Sequence, residues 1–219
     1  MKTGTDAILL GVWTDVSNII NVLDIGSGSG IISLFIAARS NANITAVESD
    51  SASVIESSVN FASSDFADRL QVVHTNFNEY KTEVKFDLIV SNPPFFTHDL
   101  HSPSKRKTNT RHTESLSFEQ LCSGASKLMN DSARFCVVLP YTQSEVFNEV
   151  AQKSGLYPSK ELFIFPRRGA EPNRINIEFK KQRTHSCKKD FFVLREENNK
   201  FTDQYKELLG NYYLSIPEQ

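Results

Sequence analysis

The sequence contains no apolar run near the roughly 18 residues that a membrane-spanning helix requires. Its first residues, Met1–Thr5, lack the charged-then-apolar pattern of a secretory signal. A cytoplasmic protein with no membrane partner is therefore expected. Cysteine is scarce: Cys122, Cys136 and Cys187 stand far apart, in no metal-ligand spacing and in odd number. Neither a zinc site nor a redox pair is expected from them. His74, His98, His101, His112 and His185 show no ligand spacing either, so no metal is expected. Internal repeats and low-complexity tracts are absent, which excludes solenoid and array architectures. The net charge is only −2, which excludes bulk nonspecific affinity for nucleic acid as the main activity.

What is present is ordinary in amount, 39% hydrophobic and 23% charged residues over 219 positions, and fits one domain spanning residues 1–219. The charge is unevenly placed. Between Leu100 and Thr113 the charged residues are Lys105, Arg106, Lys107 and Arg111, with no acid among them. Between Phe179 and Lys189 they are Lys180, Lys181, Arg183, Lys188 and Lys189, again without an acid. Each run is either a solvated face or a phosphate-contacting surface.

Short apolar, β-branched runs alternate with helix-like stretches. Strands are predicted at Ile19–Ile25, Asn43–Val47, Leu70–His74, Phe86–Val90 and Phe135–Leu139. Helices are predicted at Ser29–Arg39, Ser51–Ser63, Phe118–Met129 and Gln143–Ser154. Leu162–Phe165 and Ile175–Phe179 read as a closing antiparallel pair. This alternation predicts an α/β fold with a mostly parallel sheet covered on both faces. A long loop, Pro93–Ser115, interrupts it and carries the first basic cluster; loops of that length in compact domains are usually functional.

The first strand runs into Asp24-Ile25-Gly26-Ser27-Gly28-Ser29-Gly30. Glycines let the backbone turn sharply and approach a ligand closely. The spacing is not the G-x-G-x-x-G of the dinucleotide fingerprint, whose glycines bring the backbone close to a pyrophosphate. S-adenosylmethionine has no phosphate, and its ammonium suits an acid such as Asp24, directly or through water. Glu48, at the end of the second strand, sits where a carboxylate accepts from ribose hydroxyls. On these features alone both a dehydrogenase and a methyltransferase still fit.

The fourth strand ends in Asn92-Pro93-Pro94-Phe95. Consecutive prolines remove two amide donors and hold the chain extended. The Asn92 side-chain oxygen and the Pro93 carbonyl can then converge on one NH2 group. Two such acceptors orient a nitrogen lone pair and favour the positive charge that grows on it. Phe95 offers a flat face for a planar base or amide.

Through Asp24–Gly30, Glu48 and Asn92–Phe95 the chain resembles class I S-adenosylmethionine-dependent methyltransferases acting on amino nitrogens. Lys2–Gly11, Asn109–His112, Arg174–Phe179 and Tyr205 to Leu214 make it similar, nearly end to end, to the bacterial tRNA(Val) adenine-37 N6-methyltransferases. The resemblance implies a Rossmann-like, seven-stranded sheet with an antiparallel C-terminal hairpin. It implies S-adenosyl-L-methionine as cofactor, S-adenosyl-L-homocysteine as product, tRNA as partner and no obligate protein partner. Thr5 and Asp6 would border the cofactor pocket. Asp24, Gly26, Gly28, Gly30, Glu48, Asn76 and Phe77 would hold the cofactor, and Asn92, Pro93, Pro94 and Phe95 the target adenine. Lys105, Arg106, Lys107, Arg111, Lys180 and Lys181 would meet tRNA phosphates. Two departures stand out. The N-terminal lid segment, residues 1–18, is shorter than in the family, and Asn76 stands where an Asp usually contacts the cofactor's adenine.

Other readings fit parts of this pattern. Guanine N2 in ribosomal RNA and a protein glutamine amide also suit an Asn-Pro-Pro-aromatic tetrad, although glutamine-modifying enzymes carry a helical domain ahead of the glycine loop. An NAD- or nucleotide-binding protein of the same fold is disfavoured by the glycine spacing, and a non-catalytic RNA-binding subunit by the intact tetrad.

Overall fold

The structure, a computed structural model, describes residues 4–94, 116–184, 186–210 and 212. Helix α1 (Thr5–Trp13) precedes β1 (Asn21–Ile25), α2 (Ile31–Ala37), β2 (Asn43–Glu48), α3 (Ser51–Ala62), β3 (Leu70–His74) and β4 (Phe86–Ser91). There follow α4 (Phe118–Leu128), β5 (Met129–Pro140), α5 (Ser144–Lys153), β6 (Tyr157–Phe165), β7 (Arg174–Lys180), β8 (Lys188–Val193) and α6 (Asp203–Leu209). Polar residues start several helices where their side chains can satisfy free backbone amides. Asp50 accepts from Ser53 N at the head of α3, and Ser117 forms a capping box with Gln120 at the head of α4.

The strands form one sheet in the order β3-β2-β1-β4-β5-β7-β6-β8. β7 pairs antiparallel with β5 and β6, and every other pairing between strands is parallel. The α/β fold and the closing hairpin are as expected, but the sheet has eight strands rather than seven. The added strand, β8, lies in the second basic run, where Lys188 and Lys189 are exposed and only Phe192 is buried. One buried apolar residue in six leaves little strand signal. α1 and α6 were not anticipated either. In α1 an unbroken apolar run, Ala7–Leu10, is buried on several sides at once, so no polar face marks the helical period.

The helices divide between the faces. Ala7 and Leu10 of α1, Ile32 and Ile36 of α2 and Phe61 of α3 pack on Val22, Ile44, Leu88, Val90 and Val138. The other face of α1 meets Leu162 and Ile164 of β6, Phe192 of β8 and Tyr205 and Leu209 of α6. On the opposite side of the sheet, α4 and α5 cover Leu23, Ile25, Ile89, Phe135 and Phe179. Among the described residues no helix is long and apolar enough to cross a membrane.

Phe147 of α5 has no exposed surface and lies 4.9 Å from Phe118, 6.4 Å from Phe135 and 5.7 Å from Phe179, between ring centroids. Phe147→Ala should cost about 3–5 kcal/mol by removing this shared partner and leaving a cavity. Thermal denaturation should show the midpoint falling by roughly 10 °C.

Candidate active site

Parallel register brings the carboxyl ends of β1, β2 and β4 to one level. Ile25 stands opposite Val47 on one side and Ser91 on the other. The residues that follow are therefore level across the sheet, with Gly26 in the middle and Glu48 and Asn92 each one strand spacing (~4.8 Å) to either side of it. Two further bonds hold this edge. Gly26 N donates to Val47 O at 2.8 Å, and the buried Ser91 hydroxyl donates to Ile25 O at 2.8 Å.

The loop between β1 and α2 takes left-handed backbone at Gly26, Gly28 and Gly30 (φ 70°, 56° and 79°). A side chain there would be strained, and a Cβ at Gly30 would also collide with the Phe61 ring. Asn60 of α3 donates its side-chain amide to Ser29 O at 2.9 Å, tying the loop to the neighbouring helix.

Asp24 is fully buried beneath this loop. Its Oδ2 accepts from the Ser33 hydroxyl of α2 at 2.7 Å, while Oδ1 has no partner. Burial pushes the carboxyl up to about 7, against the opposing Ser33 hydrogen bonds, and the nearby charge of Glu48 raises it further. The Ser27 hydroxyl is a second buried polar atom without a partner in the same loop.

Glu48 is arranged differently. Oε2 accepts from Gly28 N at 2.9 Å, and Oε1 accepts from Ser49 N and Asp50 N at 2.8 Å each. A carboxylate offers about four lone-pair sites. Three amides leave room on Oε2 for one further donor.

Just past the carboxyl end of β4, Asn92 is half-buried, Pro93 buried and Pro94 exposed. Among the described residues nothing hydrogen-bonds to the Asn92 side chain, so it is not spent on bracing the turn. Phe95, with Lys105, Arg106, Lys107 and Arg111, lies outside the described residues.

Several expected contacts are corrected. The Phe77 ring belongs largely to the core: it is 9% exposed, and a Cβ at Gly124 would come within 2.5 Å of it. Asn76 Oδ1 accepts from Asn78 N at 3.0 Å, capping the turn Phe77–Glu79. That bond uses one lone pair of the oxygen and leaves the other. Asp6 is engaged by Arg174 Nε at 2.8 Å. Arg174 lies opposite Pro140, at the carboxyl end of β5, so this contact ties the start of α1 to that end of the sheet. Lys180 and Lys181 are at the wrong end of the sheet. β7 runs against its neighbours, which carries residues 180 and 181 toward the amino end of β5, away from Asn92. Lys181 Nζ donates to Met129 O at 2.9 Å, and Lys180 pairs with Glu178 at 3.7 Å. Sequence reasoning missed Ser33, Asn60 and Ser91. Nothing in a lone Ser or Asn signals which carboxylate or carbonyl it will meet.

Comparison with known proteins agrees with this geometry. The family model of the methyltransferase small domain matches residues 3–114. A Bacteroides fragilis tRNA1(Val) (adenine(37)-N6)-methyltransferase is 36% identical over 99% of this chain and 92% of its own length. A Phocaeicola vulgatus protein of the same name is 38% identical over the same shares. The chain belongs to this methyltransferase family. Solved structures agree on the fold: a predicted O-methyltransferase from Agrobacterium tumefaciens has a TM-score of 0.70 at 18% identity, covering 98% of this chain and 100% of that one. A ribosomal protein L11 methylase from Lactobacillus delbrueckii has a TM-score of 0.59 at 16% identity, covering 81% and 77%.

The Asp24 carboxyl gives a test that needs no ligand. Its folded value of about 7 lies above the ordinary 3.8, so the folded chain keeps a proton that the unfolded chain releases. Stability from this group is complete below about pH 4 and is lost as pH rises through about 7. Asp24→Asn should remove that component of the slope, which melting curves of both proteins across this range would read.

Proposed function

We propose that this methyltransferase modifies N6 of an adenine in tRNA, adenine 37 of valine tRNA, using S-adenosyl-L-methionine in the cytoplasm. The observation that carries the reading is the register of β1 against β4, which sets Asn92 beside the glycine loop. A group held at the loop and an amine held at the tetrad would then meet directly. The target is favoured by the names of full-length relatives at 36% and 38% identity.

The residues present fit the cofactor. The unpartnered Asp24 Oδ1 and Ser27 hydroxyl are polar atoms a ligand can satisfy, and the raised Asp24 carboxyl ionises readily once a cation is near. Asp24 would bind the methionine ammonium through water, and the spare lone pair of Glu48 Oε2 would take a ribose hydroxyl. S-adenosyl-L-methionine supplies an electrophilic methyl group on a sulfonium and leaves as S-adenosyl-L-homocysteine.

Asn92 and the Pro93 carbonyl would accept both hydrogens of the adenine amine and direct its lone pair toward the loop. As nitrogen forms its fourth bond it becomes positive, and the same two oxygens stabilise that charge. The surplus proton then passes to water, so no strong base is needed. The adenine must leave its stack to reach a site at this depth. Lys105, Arg106, Lys107 and Arg111, downstream of the tetrad, are the cations proposed to hold the flanking phosphates.

Incubation with labelled S-adenosyl-L-methionine and unmodified valine tRNA, followed by nucleoside mass spectrometry, should yield N6-methyladenosine. A labelled N2-methylguanosine would overturn the base assignment. Asn92→Ala should lower kcat by about two orders of magnitude with the melting curve unchanged; wild-type turnover would remove Asn92 from the chemistry. Glu48→Ala should chiefly weaken cofactor binding, read by calorimetry as a rise in Kd.

A further inference from the structure

Among the described residues, the sheet face under α4 and α5 is not covered to its far edge. α5 lies over β5 and β7, where Phe147 meets Phe135 and Phe179. Beyond it the register sets Phe163 of β6 beside Phe191 of β8. Their rings stack at 5.5 Å between centroids with planes 26° apart. Tyr141, the first residue after β5, meets Phe163 edge-on at 5.9 Å, and Phe165 lies 6.2 Å from Phe191. Phe191 is 61% exposed and Tyr141 38%. This is an open aromatic surface at the edge of the sheet, and such surfaces mark binding sites.

Position and chemistry narrow the occupant. Tyr141 and Phe165 follow or end strands that run with β4, so the patch opens at the same end of the sheet as Asn92. Three to four strand spacings separate them, roughly 15–20 Å. Lys189 Nζ stands 5.8 Å over the Phe163 ring. Arg167, just past the end of β6, is exposed, and no acid among the described residues pairs with it. Flat rings flanked by cations suit nucleobases, which stack on aromatic faces while their phosphates take the charges. Strand addition by a protein partner is poorly served. Gln204 of α6 occupies the outer edge of β8, donating to Phe191 O at 3.0 Å and accepting from Val193 N at 3.2 Å, and Lys188 and Lys189 are exposed on that strand.

We infer that Phe191, Phe163 and Tyr141 form a stacking platform for unpaired bases of the substrate RNA, a few nucleotides from the base held at Asn92. The inference rests on the RNA reading above. A base that must be extruded leaves its loop neighbours unstacked as well, and the platform gives them a surface to occupy.

Phe191 packs mainly toward solvent, so substitutions there should leave the fold intact, which a melting curve verifies. Phe191→Leu keeps apolar bulk but loses the flat face; Phe191→Trp keeps the face. Phe191→Leu should raise KM for valine tRNA about five-fold or more, with kcat and KM for S-adenosyl-L-methionine changed by less than about two-fold, and Phe191→Trp should restore it. Direct tRNA binding, measured by fluorescence anisotropy at fixed salt, should follow the same order and needs no turnover. Equal tRNA affinity of wild type and Phe191→Leu overturns the platform, whether or not the wild type methylates the RNA. Unchanged affinity with a shift in sedimentation on Phe191→Leu would assign the surface to a protein contact instead. Failure of the wild type to methylate any RNA, with the affinity order intact, would strike the catalytic reading and spare the platform.

Discussion

The alignment of β1 and β4 is the constraint on which the site depends. Two strands of the chain separated by more than sixty positions are held level by a ladder running from Val22 opposite Leu88 to Ile25 opposite Ser91. The Ser91 hydroxyl adds a bond to the last carbonyl of β1. A slip of one residue would turn every side chain of β4 to the other face, since pleating alternates them. Leu88 and Val90, which pack beneath α1 and α2, would then exchange places with Ile89, which packs beneath α4. Both faces are apolar, so register here is fixed as much by the buried hydroxyl and by shape as by polarity.

Two carboxylates near one loop create an electrostatic problem that the chain handles unequally. Glu48 is surrounded by three backbone amides, which compensate a full negative charge. Asp24 has one hydroxyl donor and complete burial, so its charged form is disfavoured. The acid at the rim is satisfied in advance, while the acid beneath the loop is held in a condition that a cation relieves. Ser27, buried and unpartnered in between, belongs to the same unfinished polar surface.

Most of the parallel sheet was legible because its strands carry continuous Val, Ile and Leu runs between glycine- and proline-marked turns. Leu70–His74 was placed to the residue, and the neighbouring strands within a few positions. The tetrad and the glycine loop were legible because their residue types serve backbone geometry directly. What was not legible depended on tertiary partners. Lys180 and Lys181 looked like a phosphate-binding pair, but only the direction of β7 reveals that they sit at the far end of the sheet. Phe77 looked like a ligand contact until Gly124 left room for its ring in the core. The aromatic surface on β6 and β8 could not be read at all, because Tyr141 meets Phe163 only through the fold and Phe191 joins them only through the added eighth strand.

The packing of α1 has a consequence for how the molecule is made. Leu9 and Val12 rest on Leu162, Ile164, Phe192, Tyr205 and Leu209, and Asp6 is tethered to Arg174. During synthesis α1 must wait for partners roughly 150–200 positions further along the chain. Until then its apolar flank has no surface to cover it. Such distant contacts slow folding and leave a newly made chain exposed to association with others. Helix α1 is thus fully seated only after β6, β8 and α6 have been made.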